Sequence, residues 1–285
     1  MFVPASSLRA VIALPFVWLI VFFLLPFLLV LVIAFGTNSP DSVPPVELGL
    51  NFESFRLLFT DDLYLAAWIS SLRIAATSTL CALLLGYPMA YAIARATPER
   101  QPLLLMLVVL PFWTSFLIRV YAWMGLLSEN GILNQFLRWT GLVPHPGTIL
   151  GTEWAIHLGI VYAYLPFMVL PLYATLEKLD WGLLEAAADL GAKPMAAFFT
   201  VTLPLSMPGV MAGCLLVFIP AVGEFVIPDL LGGTNTLMIG KVLWDEFFSN
   251  ADWPLASAVA ILLLILLVGP IAVFQRQQAR SLERR

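Results

Sequence analysis

The chain has 285 residues, of which 61% are apolar and only 11% charged; its mean hydropathy is +0.94 and its formal net charge −4. Soluble globular domains carry about 25% charged residues, so these few charges cannot cover a water-facing surface, and the composition calls for an integral membrane protein, read as one domain over 1–285. The acidic balance argues against nucleic acid as a partner, and Cys81 and Cys214, both inside apolar runs, offer neither a structural disulfide nor a CxxC metal or redox spacing.

A bilayer is crossed by about 20 apolar residues in helical form. Six segments qualify, at roughly 11–35, 64–94, 103–127, 154–176, 205–228 and 255–275, which makes the expected fold all-α. The first run, Val11 to Phe35, has 25 residues. That is longer than the roughly 7–15 of a signal-peptide core, so it reads as a retained span. Between spans, 36–63, 128–153 and 229–254 are long acidic loops, with the amphipathic piece NGILNQFLRWTGL in the second. RATPERQP at 95–102 is a tight turn, and 177–204 is the one long loop on the opposite side. The second span carries Arg73, the third Arg119 and the fifth Glu224, while the other three contain no charged residue.

With the N-terminus inside, the cytoplasmic pieces hold Arg9, Arg95, Arg100, Lys178, Lys193, Arg276, Arg280, Arg284 and Arg285, against Arg56, Arg138 and Lys241 outside. This bias places both termini in the cytoplasm. Prolines interrupt the spans at 15, 26, 88, 111, 166, 171, 208 and 220. Each removes a backbone donor, which a bundle of bent helices tolerates better than a straight anchor does.

The loop at 177–204 contains EAAADLGAKPMAAFFTVTLP. Asp180 is placed to N-cap a helix over Trp181–Leu190, Gly191 to take the left-handed C′ position, and Pro194 to open a second short helix. Leu203-Pro204 then leads into the fifth span. Leu183, Leu184, Ala187 and Ala188 make an apolar face of small and branched residues, with Glu185 and Asp189 as an acidic edge. Pattern alone leaves two readings of this helix, one lying on the inner leaflet and one docking in another protein's groove.

The complete spacing resembles a known family. Glu185-Ala186-Ala187, three residues, Gly191, nine residues, Val201, one residue, then Leu203-Pro204 is similar to the cytoplasmic loop of binding-protein-dependent ABC importer permeases, with valine where isoleucine is usual. LPFWTSFLIRVYAWMGLL (110–127), FIPAVGEFVIPDLLGG (218–233) and IGKVLWDEFF (239–248) look like permeases of bacterial polyamine importers of the putrescine type. The resemblance implies the six-helix type I permease fold with cytoplasmic coupling helices in a bacterial inner membrane. It implies docking of an ATPase through Glu185, Ala186, Ala187 and Gly191, with Leu203 and Pro204 completing the motif, and a path lined from the third and fifth spans. It further implies four partners in kind: lipid, a second related permease, two ATPase subunits and an extracytoplasmic polyamine-binding protein.

The residues agree with a transport subunit rather than an enzyme. There is no GxxxxGK phosphate loop followed by Ser or Thr, no HExxH and no GxSxG, so no cofactor is expected on this chain and ATP with magnesium belongs to the partner ATPase. His145 and His157 read as solvated or structural. A polyamine path calls for carboxylates and aromatic faces. Glu224, Asp229, Trp113, Tyr121, Trp244 and Asp245 are the candidates. For Glu224 two readings stand open: a cation contact, or a partner for Arg73 or Arg119 or a wet interfacial acid. Asp229 and Asp245, like Glu246 beside them, read either as contacts for cargo or binding protein or as solvated loop acids, and Trp113 and Tyr121 as path-lining or packing side chains. Two other function classes remain: the same architecture importing another solute such as sulfate, iron or an amino acid, and a self-contained secondary transporter.

Overall fold

The computed structural model describes residues 13–140, 149–233 and 236–283. Arg9, His145, Arg284 and Arg285 lie outside the described residues. Among the described residues four helices are long and apolar enough to cross a bilayer: α1 (Ala13–Ile33), α3 (Asp62–Ala94), α7 (Glu153–Leu176) and α9 (Pro194–Val222). Two further pieces are long and apolar enough only when taken together: α4 (Gln101–Trp113) and a segment from Phe116 to Thr140 that begins with α5 (Phe116–Leu127) and ends with α6 (Ile132–Thr140). The last helix, α12 (Trp253–Glu283), has its apolar part at Trp253–Gly269. Shorter helices are α2 (Glu53–Thr60), α8 (Gly182–Asp189), α10 (Val226–Leu231) and α11 (Ile239–Trp244). A two-residue antiparallel ribbon, β1 (Thr37–Asn38) with β2 (Val46–Glu47), is the only sheet among the described residues.

The chain divides into two compact units. The first holds residues 1–65 with 242–266. In it the Phe35 ring packs on Phe52 and Phe55, and Asn51 Oδ1 accepts the Glu53 amide at the start of α2. Glu246 accepts from the Tyr64 hydroxyl and from the Asn250 amide, both at 2.8 Å, and Phe247 stacks on Trp253 with centroids 5.0 Å apart.

The second unit holds 66–241 and the end of α12, and its core lies where α3, α7 and α9 meet. Ala82, Tyr87, Ala90, Leu172, Leu176 and Val217 are buried there. Lipid tails are as apolar as leucine, so helices in a membrane associate through close packing and interhelical hydrogen bonds rather than a hydrophobic drive. Both devices are present. Gly209 and Gly213, one turn apart on α9, let its backbone close on α7; a Cβ at Gly209 would stand 2.6 Å from Thr175 Oγ1 and 2.9 Å from the Pro171 carbonyl. The Tyr87 and Ser206 hydroxyls are 2.8 Å apart, the Ser78 hydroxyl is 2.8 Å from His157 Nδ1, and Arg73 is ion-paired with Glu153. His157 is thus a clip between α3 and α7.

Three expected boundaries differ. The span expected at 103–127 is bent by 87° at Thr114 and Ser115, whose backbones are extended. Pro111 opens a short 3-10 turn, and the Thr114 hydroxyl donates back to the Pro111 carbonyl at 2.8 Å. The span expected at 205–228 stops at Val222, and the chain restarts as α10 at Val226. The expected second short helix is not separate: from Pro194 the chain runs without a break into the fifth span. A wide π turn at Phe198–Thr202, closed by Leu203 N–H donating to the Phe198 carbonyl, immediately precedes Pro204, which sits in the first turn of the helix that follows.

Replacing Gly209 by Val forces the α7–α9 seam apart at a cost of roughly 1–3 kcal/mol. The thermal midpoint of the detergent-solubilised protein should fall, whereas Gly125→Ala, which meets nothing within 4 Å, should leave it unchanged.

Candidate functional site

The segment after α7 forms one protruding element. Asp180 Oδ1 accepts the Gly182 amide at 3.0 Å and so starts α8, one residue later than the expected Trp181. Trp181 anchors the helix from below: its ring meets Tyr91 edge-on at 5.7 Å and lies 4.8 Å under the Arg95 guanidinium. α8 ends in a Schellman motif. Gly191 has φ +82°, its amide donates to the Ala188 carbonyl at 2.8 Å, and the Ala192 amide donates to the Ala187 carbonyl at 3.0 Å. No side chain is needed to close this end, but a left-handed residue is, which fixes glycine there. Lys193 is extended, and Pro194 opens α9.

Glu185 and Ala186 are exposed, Ala187 is half-buried against the body, and Leu203 packs against the core beside Tyr87 and Phe198. Around them lies apolar surface without a cover: Leu190 is 90% exposed, Met195 70%, and Leu183 and Phe199 about half. Glu185 and Asp189 rim that surface.

The second assembly forms at the two breaks. Gly223-Glu224-Phe225 interrupts the fifth span, and Glu224, only 7% exposed, turns back to cap the next helix. Its Oε1 accepts the Val226 amide at 3.0 Å and the Ile227 amide at 3.4 Å, while Oε2 accepts the Tyr164 hydroxyl. The loop is held from behind by Gly240, where a Cβ would meet the Gly223 carbonyl oxygen at 2.3 Å and that of Glu224 at 2.7 Å. In front of Glu224 lies a cavity of about 590 Å³. Its walls are Phe112, Phe116 and Arg119 from one break, Tyr164 and Phe167 from α7, and the Glu224 loop from the other. Arg119 holds its guanidinium carbon 4.9 Å from the Phe112 ring centroid and 5.8 Å from that of Phe116.

The expected partners of Glu224 are otherwise engaged. Arg73 is paired with Glu153, and Arg119 lines the same cavity as Glu224 without an ion pair to it. Asp229 is paired with Lys241 at 3.0 Å. Trp113, 75% exposed, and Tyr121 are not among the residues that line this cavity, whereas Phe112 and Phe116 are. Trp244 and Asp245 belong to the first unit, where Trp244 packs on Phe248 at 4.1 Å. Tyr164 and Phe167 carried no signal in the sequence beyond flanking Pro166.

A bundle that interrupts two of its apolar helices around one lined cavity is, in class, a membrane permease. Residues 101–283 match the binding-protein-dependent transport system inner membrane component family, and the chain belongs to that family. It is 46% identical over 268 residues to a spermidine/putrescine transport system permease protein of Haemophilus influenzae, covering 94% of this chain and 93% of that one. The Escherichia coli protein of the same description is 42% identical over 259 residues, covering 91% and 93%. In fold, the chain matches a subunit from the crystal structure of a bacterial alginate ABC transporter bound to its periplasmic protein, with a TM-score of 0.75 at 19% identity over 97% of this chain and 95% of that one. The expected type I permease fold and non-enzymatic transport role both stand, in a multi-pass inner-membrane protein.

Gly240→Val should push the Glu224 loop off its seat and release the α10 amides, at a cost of roughly 1–3 kcal/mol. Hydrogen exchange in the peptide 224–231 should then accelerate while exchange in 66–94 does not.

Proposed function

We propose that this chain is one of two related permease subunits of an ABC importer that carries polyamines, putrescine or a near relative, into the bacterial cytoplasm. Both termini and the 177–204 loop face the cytoplasm. An ATPase dimer, which holds the ATP and magnesium, grips α8 through Glu185, Ala186, Ala187 and Gly191, and a periplasmic binding protein delivers the cargo. The observation that carries the reading is the pairing of a buried carboxylate with aromatic walls at the two helix breaks. An ammonium group is recognised by carboxylates and by ring faces, and Glu224 with Phe112, Phe116, Tyr164 and Phe167 offers both. The polyamine descriptions of the relatives support the same cargo.

Mechanically, α8 is suited to transmit force. It is short, closed at its C-terminal end by backbone hydrogen bonds, pinned by Trp181 beneath, and joined through Gly191–Lys193 to the helix Pro194–Val222, which the Glu224 loop follows. A pull on α8 therefore reaches the Glu224 loop through one short joint and one helix. Only half of a path is supplied here. Arg119 and Glu224 cancel in charge, so a dication needs further carboxylates from the second permease.

One observation favours a different cargo. Arg119 in the cavity suits an oxyanion, and the chain is 28% identical over 232 residues to a molybdenum transport system permease of Mycobacterium bovis. Uptake of labelled putrescine by the reconstituted complex, challenged with spermidine and separately with molybdate, decides. Competition by spermidine alone supports the polyamine reading, and competition by molybdate alone overturns it.

Two substitutions test the roles. Glu185→Lys or Gly191→Asp should abolish ATP-driven uptake and loosen co-purification of the ATPase with the permease still inserted. Undiminished co-purification for both would sink the docking assignment. Glu224→Gln should lower putrescine uptake at limiting cargo by about tenfold, the loss of one charged contact, and unchanged uptake would remove Glu224 from the path.

A further inference from the structure

Arg119 stands in an unfavourable place. Its Nε and Nη1 are buried and have no hydrogen-bond partner. Its compensation is the pair of ring faces on Phe112 and Phe116. Contact of a cation with an aromatic face returns less than unmade hydrogen bonds on a buried charged group cost. The guanidinium is thus parked rather than satisfied. The better partner, a buried carboxylate, lines the same cavity. Glu224 in turn is held by three donors, two of them the backbone amides it caps, and a carboxylate offers about four acceptor positions. One position remains for a cation.

We propose that Arg119 is a resident competitor for the cargo. Its guanidinium moves between the Phe112–Phe116 faces and the Glu224 carboxylate, yielding the carboxylate to an arriving ammonium and reclaiming it as the cargo leaves. The arrangement in the structure is the yielded one. Arginine suits the exchange: its flat, permanently charged group stacks on rings and also forks onto a carboxylate, whereas an ammonium does the second better than the first. The consequence is kinetic. A site with its own cation in reserve re-pairs Glu224 as the cargo departs, so release of cargo does not carry the full cost of an unpaired buried charge. This inference rests on the reading of Glu224 as a cargo contact.

The test uses the complete complex of both permeases, the ATPase and the binding protein, compared at equal amounts of assembled material. Two quantities are read: dissociation of labelled putrescine from the purified complex, and turnover in proteoliposomes. Arg119→Gln should slow dissociation by about tenfold and lower turnover in parallel, because the displacing cation is gone. Arg119→Lys, which keeps a cation, should recover most of both. Phe112→Leu removes the parking face and drives Arg119 onto Glu224, so it should speed dissociation; it also stands in should Arg119→Gln not assemble. In a Glu224→Gln background the Arg119→Gln effect should vanish. Unchanged or faster dissociation in Arg119→Gln, or a slowing that persists without Glu224, overturns the exchange. If Glu224→Gln by itself leaves putrescine dissociation and uptake untouched, the cargo-contact reading falls and this inference with it. A weakened Glu224→Gln together with an unaffected Arg119→Gln defeats the exchange alone.

Discussion

Inside a bilayer no water is available to pair a stray backbone amide, so every interruption of a spanning helix must be repaired by the protein itself. This constraint organises the chain. At the fifth span the repair is made by a side chain: Glu224 bends back and accepts the two amides that α10 would otherwise leave open. At the third span, Thr114 returns its hydroxyl to the Pro111 carbonyl and the chain turns by 87°. Both repairs need room for irregular backbone, and both find it at one cavity. The feature that suits this protein to passing a solute is thus also what allows its helices to break.

The same logic explains why the seams of the second unit are made of small and hydroxylated residues. Gly209, Gly213 and Gly86 admit neighbouring side chains where any Cβ would collide, and Ser78, Ser206 and Tyr87 place hydrogen bonds across the seams. These contacts hold α3, α7 and α9 as one body. At α8 a left-handed glycine and a backbone-closed terminus give a short helix its fixed direction.

Charge is placed sparingly and with consequence. Arg73 of α3 pairs with Glu153 at the start of α7, and Lys241 of α11 with Asp229 of α10. Arg119 and Glu224 face one cavity without an ion pair between them. A cavity that carries one charge of each sign, held apart, has a cation of its own and an acceptor to offer, and this sets it apart from a simple acidic funnel.

Much of this was legible in the amino-acid sequence alone. Runs of about 20 apolar residues mark spans because a bilayer has a fixed thickness, and the glycine after Glu185-Ala186-Ala187 marks a helix end because only glycine takes that backbone conformation without strain. Tertiary structure decided the remainder. Whether Phe112 or Trp113 faces the cavity turns on a rotation of about 100° per residue, which the local 3-10 turn resets. Leu203-Pro204 does not break the helix because a π turn runs directly into it, and nothing in the local residues announces that turn. Glu224 could not be identified as a cap within an apolar run, because a cap is defined by the amides it meets and those become available only when the chain breaks at Gly223. Local spacing settles what each segment can be; which groups face one another is settled by packing, since it depends on segments far apart in the chain.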